Sequence, residues 1–285
     1  MTLAERLELY EKLMRLDKPI GILLLLWPTL WGLWFASAGH PSWWVVWIFA
    51  LGTVLMRSAG CVMNDYADRD VDPYVARTQN RPLAARLLST KEALWLAAGL
   101  AMLAFLLILP LNHMVMWLSI PAVLLAISYP YTKRFLAIPQ AYLGVAFGFG
   151  IPMAYAAIQG GIPMQAWLLL LANIFWAVAY DTEYAMVDRA DDLKIGIKTS
   201  AITFGQFDIW AVMLSYSAAL ALLVLVGWQY HRGGAYFAGI AAAAIIATYH
   251  YYLIRRRDPA QCFKAFLHNN WLGAVIFLGL LIDYR

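Results

Sequence analysis

Nine apolar runs, each near the ~20 residues an α-helix needs to cross a bilayer, alternate along the chain with short polar stretches. They cover residues 20–36, 43–63, 93–109, 114–129, 137–158, 164–179, 209–230, 235–254 and 266–282. Pro110-Leu111-Asn112-His113 divides the third from the fourth. Their joint length of ~35 residues is too great for one crossing, and consistent loop polarity also needs two. Ahead of the first run, Leu3, Leu7, Tyr10 and Leu13/Met14 recur at helical spacing, which predicts an amphipathic helix lying on the membrane surface within residues 1–18. No Ser/Gly linker, low-complexity tract or second polar domain interrupts the pattern. The expected fold is all-α: one polytopic membrane domain over residues 1–285, with nine transmembrane helices.

Composition agrees. The chain is 63% hydrophobic and 13% charged, whereas soluble domains run near a quarter charged. A net charge of +4 says little by itself; the placement of the basic residues says more. With a cytoplasmic N-terminus, eighteen of the 21 Lys and Arg fall on the cytoplasmic side, only Arg232 and Arg285 fall opposite, and Arg57 lies inside the second span. That is the positive-inside pattern. Glu5, Glu8, Glu11 and Asp17 argue against a signal or transit peptide in the first 18 residues, which favours a bacterial inner membrane over a mitochondrial one. Cys61 and Cys262 have no CxxC or Cys/His neighbour and read as small buried side chains.

Nine of the 17 acidic residues crowd into two short segments, both at the cytoplasmic ends of spans. One runs from Asn64 to Asp72, the other from Asp181 to Asp192. Massed carboxylates repel one another, so packing selects against them unless a cation neutralises the charge. Asp65, Asp68 and Asp72, spaced three and four apart, share one helical face, and Asn64 adds a neutral oxygen donor. Asp188 and Asp192 repeat the spacing of four, and Asp181 sits two turns earlier. Asp70 and Asp191 fall off these faces. Oxygen-only donors suit a hard cation, above all Mg²⁺, and the lack of His or Cys in either cluster argues against zinc. Two such sites facing each other would grip one diphosphate. Among the basic residues nearby, Arg69 is placed to share a phosphate with the metal and Arg134 to fork a carboxylate. Lys133 and Arg77 are further candidates for substrate contact, and Arg57 is expected to pair with a cluster carboxylate inside the bundle.

At these positions the chain resembles the UbiA superfamily of intramembrane prenyltransferases, and within it the 4-hydroxybenzoate branch. The matching segments are Arg15 to Gly21, the Asn-Asp-x-x-Asp-x-x-x-Asp of Asn64 to Asp72, Arg77 to Leu83, Tyr129 to Arg134, and Tyr180 to Lys198, in the expected order over nearly the whole chain. The resemblance implies nine helices around a central cavity, capped on the cytoplasmic side by loops at 64–91, 130–138 and 188–208. It implies that Asn64, Asp68 and Asp72 bind one Mg²⁺ and Asp188 and Asp192 a second, with Asp65 as a close partner. It further implies that Arg69 holds the diphosphate, Arg134 orients the aromatic acid and Asp181 lines the acceptor pocket. The implied partners are a polyprenyl diphosphate, 4-hydroxybenzoate and the lipid bilayer, and the implied reaction is Mg²⁺-dependent prenylation of the acceptor ring in ubiquinone biosynthesis. The chemistry is ionisation of the allylic C–O bond followed by attack on the ring carbon ortho to the hydroxyl. Asp68, Asp188, Arg69 and Asp181 are the expected catalytic residues, with Asp188 or Asp181 taking the ring proton. No role attaches to Glu183.

Three rivals bear on this reading. A cation transporter would place its carboxylates near the midplane on interrupted helices. A CDP-alcohol phosphotransferase would need an Asp-Gly dipeptide, which the chain lacks. A sister branch of the same superfamily (menaquinone, haem O or tocopherol type) shares both metal sites and differs in the acceptor.

Overall fold

The computed structural model describes residues 2–75 and 77–285; residue 1 of the expected surface helix and residue 76 of the expected first cap loop lie outside the described residues. Twelve α-helices follow one another: α1 Leu3–Met14, α2 Ile20–Ala36, α3 Trp43–Asp68, α4 Thr90–Ile108, α5 His113–Thr132, α6 Pro139–Gly148, α7 Gly150–Gln159, α8 Met164–Ile195, α9 Ser200–Phe204, α10 Asp208–Gln229, α11 Gly234–Ile254 and α12 Pro259–Asp283. Among the described residues eight helical segments are long and apolar enough to cross a membrane, and α2, at 17 residues, is a ninth, shorter one. The chain is a polytopic membrane protein, and its nine crossings match the nine apolar runs. Trp43, Trp44 and Trp47 at the start of α3 and Trp228 near the end of α10 stand exposed, as suits residues that anchor helix ends at a membrane interface.

Local chemistry sets the helix ends. Thr2 and Glu5 form a reciprocal capping box at the start of α1. Ser89 caps α4 and Asn112 caps α5 through their side-chain oxygens. The fifth apolar run is not one straight helix. It breaks at Phe149 because Pro152 has no N–H to give the carbonyl of Gly148, four residues back. Gly239 of α11 and Gly279 of α12 face each other so closely that a Cβ on either would come within 2.8 Å of the other helix's backbone oxygen.

Three helices continue past the ends the apolar pattern indicates, and α12 starts seven residues before its expected run. The expected spans end at 63, 129 and 179, whereas α3 continues to Asp68, α5 to Thr132 and α8, 32 residues long, to Ile195, where Gly196 ends it in the left-handed region. The first eight residues of the expected loop 188–208 are therefore helix. Hydropathy ends a span where polar residues begin, but a helix keeps its hydrogen bonds beyond the membrane while one face still packs, as Ala185 and Met186 do.

Helix α1 lies across the ends of α3 and α4. Leu13 is fully buried with Val62, Leu83, Leu88, Ala93 and Ala97, and Glu92 pairs with Arg6 at 2.7 Å and accepts a hydrogen bond from Tyr10. Leu3 and Leu7 remain exposed. The larger core joins α2, α8, α10, α11 and α12 around Trp31, Trp176, Tyr216 and Tyr236. Helices α2, α3, α4, α5, α6, α8 and α12 contribute the walls of a central cavity of about 1230 Å³.

Candidate active site

Helix α3 carries Asn64, Asp65 and Asp68 on its last turns, and Asp72 follows in a 3-10 turn, Asp72–Tyr74. The Thr78 hydroxyl donates to the Asp72 carbonyl at 2.9 Å and ties that turn to the segment behind it. Helix α8 carries Asp181, Asp188 and Asp192 one and two turns apart on the same side. All seven of these residues line the cavity, so the fold brings together two clusters more than a hundred residues apart in sequence.

Each carboxylate of the first cluster holds a cation. Arg15, just after α1 in the left-handed conformation, pairs with Asp65 at 2.5 Å. Arg81 bridges Asp65 at 3.1 Å and Asp72 at 2.8 Å. Lys133 Nζ lies 3.1 Å from Asp68 Oδ2 and donates to Asn64 Oδ1 at 3.3 Å. Across the cavity, Arg77 forks Asp188 through Nε at 3.0 Å and Nη2 at 2.5 Å, and rests on the ring of Tyr184. Burial raises the Asp72 carboxyl above its ordinary value; Arg81 opposes this, and Asp65 and Asp68 add to it. Burial disfavours the Lys133 ammonium, yet Asp68 outweighs it and the Lys133 pKa is raised. Burial likewise works against Arg77, and its bond to Asp188 prevails.

Deeper in the cavity two side chains carry unpaired polar atoms. Among the described residues the buried side-chain atoms without a hydrogen-bond partner belong to Trp31, Trp34, Arg57, Asn173 and Tyr180, and of these only Arg57 and Tyr180 line the cavity. Arg57 Nε and Nη1 are both orphaned. Arg57 therefore does not pair with a cluster carboxylate as expected: it lies seven residues before Asn64, about 10 Å along α3, while Arg15 and Arg81 occupy Asp65.

Two further expectations change. Arg69 and Arg134 do not line the cavity. Arg69, the residue that caps the end of α3, sits over Tyr66 and pairs with its neighbour Asp70 at 3.3 Å. Arg134 Nη2 donates to the Ala67 carbonyl at 3.0 Å, satisfying a carbonyl that the end of α3 leaves free. Arg77, Lys133 and Asp181 do line the cavity. Asp65 pairs with two arginines, Arg15 and Arg81. Arg15 and Arg81 went unassigned in the sequence because a basic residue at a cytoplasmic edge satisfies the positive-inside rule without further role; the only signal was their place in the Arg15–Gly21 and Arg77–Leu83 segments.

The donor chemistry fits Mg²⁺. Asn64, Asp68, Asp72, Asp188 and Asp192 present only oxygen, and Lys133 stands between Asn64 and Asp68, where a cation is called for. Among the described residues no group of three His, Cys, Asp or Glu side chains is gathered closely enough to hold a metal ion by itself.

Comparison with known proteins gives a consistent result. The profile of the UbiA prenyltransferase family matches residues 25–273. The chain is 70% identical to a 4-hydroxybenzoate octaprenyltransferase of Azoarcus sp. (strain BH72), over 100% of this chain and 99% of that protein. It is 69% identical to the protein of the same name from Thiobacillus denitrificans, over 100% and 97%. Among solved structures it resembles the apo form of a UbiA homolog from Aeropyrum pernix K1, with a TM-score of 0.83, 23% identity and coverage of 93% of this chain and 98% of that one. It also resembles a UbiA homolog from Archaeoglobus fulgidus bound to GPP and Mg²⁺, with a TM-score of 0.69, 19% identity and coverage of 94% and 99%.

Proposed function

The chain belongs to the UbiA prenyltransferase family, and from that premise we propose that it transfers a polyprenyl group from polyprenyl diphosphate to the ring carbon ortho to the hydroxyl of 4-hydroxybenzoate, in ubiquinone biosynthesis. The observation that carries this reading is a single cavity with two opposed acidic clusters at one end and an unpaired guanidinium deeper inside. The first suits a metal-bound diphosphate. The second suits a carboxylate. The names of relatives about 70% identical over the full chain support the same substrates.

In this reading Asn64, Asp68 and Asp72 hold one Mg²⁺ and Asp188 and Asp192 hold another; the chemistry a bound Mg²⁺ supplies is neutralisation of charge on the departing diphosphate. The Archaeoglobus structure with GPP and Mg²⁺ is a precedent for that pairing of ligands on this fold. Lys133, Arg77 and Arg81 exchange their carboxylates for diphosphate oxygens and stabilise the negative charge that grows as the allylic C–O bond breaks. The bonding pair leaves with the diphosphate. Apolar walls keep water from the allylic cation. The ring carbon forms the new C–C bond, and its proton passes to a carboxylate. Asp181 is the favoured acceptor, because Asp188 is forked by Arg77 while Asp181 feels the Lys133 ammonium, which is itself paired with Asp68, and accepts from the Gln140 amide. Arg57 replaces Arg134 as the residue that forks the aromatic carboxylate. An unpaired guanidinium buried in a membrane bundle is costly, and a bidentate carboxylate would relieve that cost. The basic residues at the helix ends support a site on the cytoplasmic side of a bacterial inner membrane, with the N-terminus cytoplasmic.

The test is prenylation of labelled 4-hydroxybenzoate by purified protein in lipid, with a polyprenyl diphosphate, with and without EDTA. Product that disappears with EDTA and returns with Mg²⁺ supports reaction and acceptor together. Diphosphate release with a different phenol consumed would move the chain to a sister branch.

A further inference from the structure

The second residue of helix α2 is a glycine, Gly21, that is buried and lines the same cavity as Arg57. Glycine in a helix costs about 1 kcal/mol relative to alanine, and here the backbone does not require it: Gly21 is absent from the positive-φ glycines among the described residues. Space requires it. A Cβ on Gly21 would fall 2.2 Å from Arg57 Nη2, 2.3 Å from Nε and 2.6 Å from Cζ. The guanidinium thus occupies the volume that any other residue's side chain would fill, set against the bare Cα of α2. This contact also explains how Arg57 keeps one orientation although Nε and Nη1 have no hydrogen-bond partner: packing against Gly21 does what hydrogen bonds do elsewhere.

We propose that Gly21 is a positioning residue for the acceptor, taking the Nε/Nη2 edge of Arg57 against its bare Cα so that the Nη1/Nη2 end of the guanidinium meets the carboxylate of the aromatic acid. The proposal rests on the reading of Arg57 given above. The atoms a methyl group would strike are the far end of a flexible side chain, so Gly21→Ala moves the guanidinium and leaves the helices in place. Its effect falls on acceptor binding, with the fold intact.

A double-mutant cycle over Gly21→Ala, Arg57→Ala and the pair tests this, reading KM for 4-hydroxybenzoate and for the polyprenyl diphosphate separately, with thermal unfolding in detergent as the check on folding. Both single variants are expected to raise the acid KM about tenfold or more, the scale of one lost charge-assisted hydrogen bond, with the diphosphate KM little changed. The double variant is expected to be no worse than Arg57→Ala alone, because Gly21 acts only through Arg57. If Arg57→Ala leaves the acid KM unchanged, the reading of Arg57 is wrong and the role of Gly21 falls with it. If Arg57→Ala raises the acid KM while Gly21→Ala does not, or does so equally with and without Arg57, the positioning role alone is overturned. A Gly21→Ala protein that no longer folds also overturns it, since the methyl would then be displacing helices.

Discussion

Helix α8 buries carboxylates on two sides, and the two sides are built differently. On one side Glu183, fully buried, accepts from Tyr216 Oη at 3.0 Å and Asn269 Nδ2 at 2.9 Å. The network continues from Tyr216 to His250 Nδ1 at 2.9 Å and from His250 Nε2 to His268 Nδ1 at 3.1 Å, while Trp176 donates to Asn269. Asp208, at the head of α10, is likewise fully buried and holds Arg189 at 3.1 Å and Arg257 at 2.7 Å. Neither Glu183 nor Asp208 lines the cavity. On the other side, Asp188 and the cluster of α3 are held by the ends of long, flexible Arg and Lys side chains that reach in from loops and helix ends. Rigid partners fix a carboxylate for good, and it then serves packing. Flexible cationic partners on the cavity wall hold one until something better charged arrives, and it then serves binding; Asp208, held by arginines but outside the cavity, does not. Burial alone does not distinguish the two; the kind of partner and its place together do.

Substitutions on the two sides should therefore separate activity from stability. The largest effect is expected for Asp188→Asn or Asp68→Asn: turnover falls by orders of magnitude while unfolding in detergent and membrane insertion stay as in the parent. Near-normal turnover would remove these residues from the site. Glu183→Ala should do the reverse. It leaves the buried Tyr216 and Asn269 without their partner and should cost about 3 kcal/mol, read as a lowered unfolding midpoint, with turnover per folded molecule retained. Asp208→Ala should be milder, about 2 kcal/mol, because Arg189 and Arg257 are a third or more exposed and can turn to water. Arg134→Ala sharpens the comparison most finely: it should cost about 1 kcal/mol through the lost bond to the Ala67 carbonyl, without altering KM for the aromatic acid. A selective rise in that KM would return Arg134 to the acceptor site.

Much of the site follows from local spacing. Asp65 and Asp68 share a face because an interval of three matches a helical turn, whereas Asp72 reaches the same cavity from the 3-10 turn beyond α3. The same rule of spacing sets Asp191 aside on α8, and Asp70 lies in the turn after α3. In the structure those two pair with Lys194 and Arg69, away from the cavity. Glu183 shows where the rule stops. Its place on α8 turns it away from Asp181 and Asp188, but only the arrival of Tyr216 from α10 and Asn269 from α12 reveals what it is for.

The sequence by itself determined the nine crossings, the side on which the basic residues gather, and which oxygen donors share a face, because hydropathy and the 3.6-residue turn are properties of consecutive residues. Only the tertiary structure decided that Arg77 crosses 111 positions to fork Asp188, that Arg15 and Arg81 claim Asp65, and that Arg57 is left unpaired against Gly21. Those outcomes depend on which helices become neighbours and how closely their backbones approach, and spacing along the chain carries no record of either.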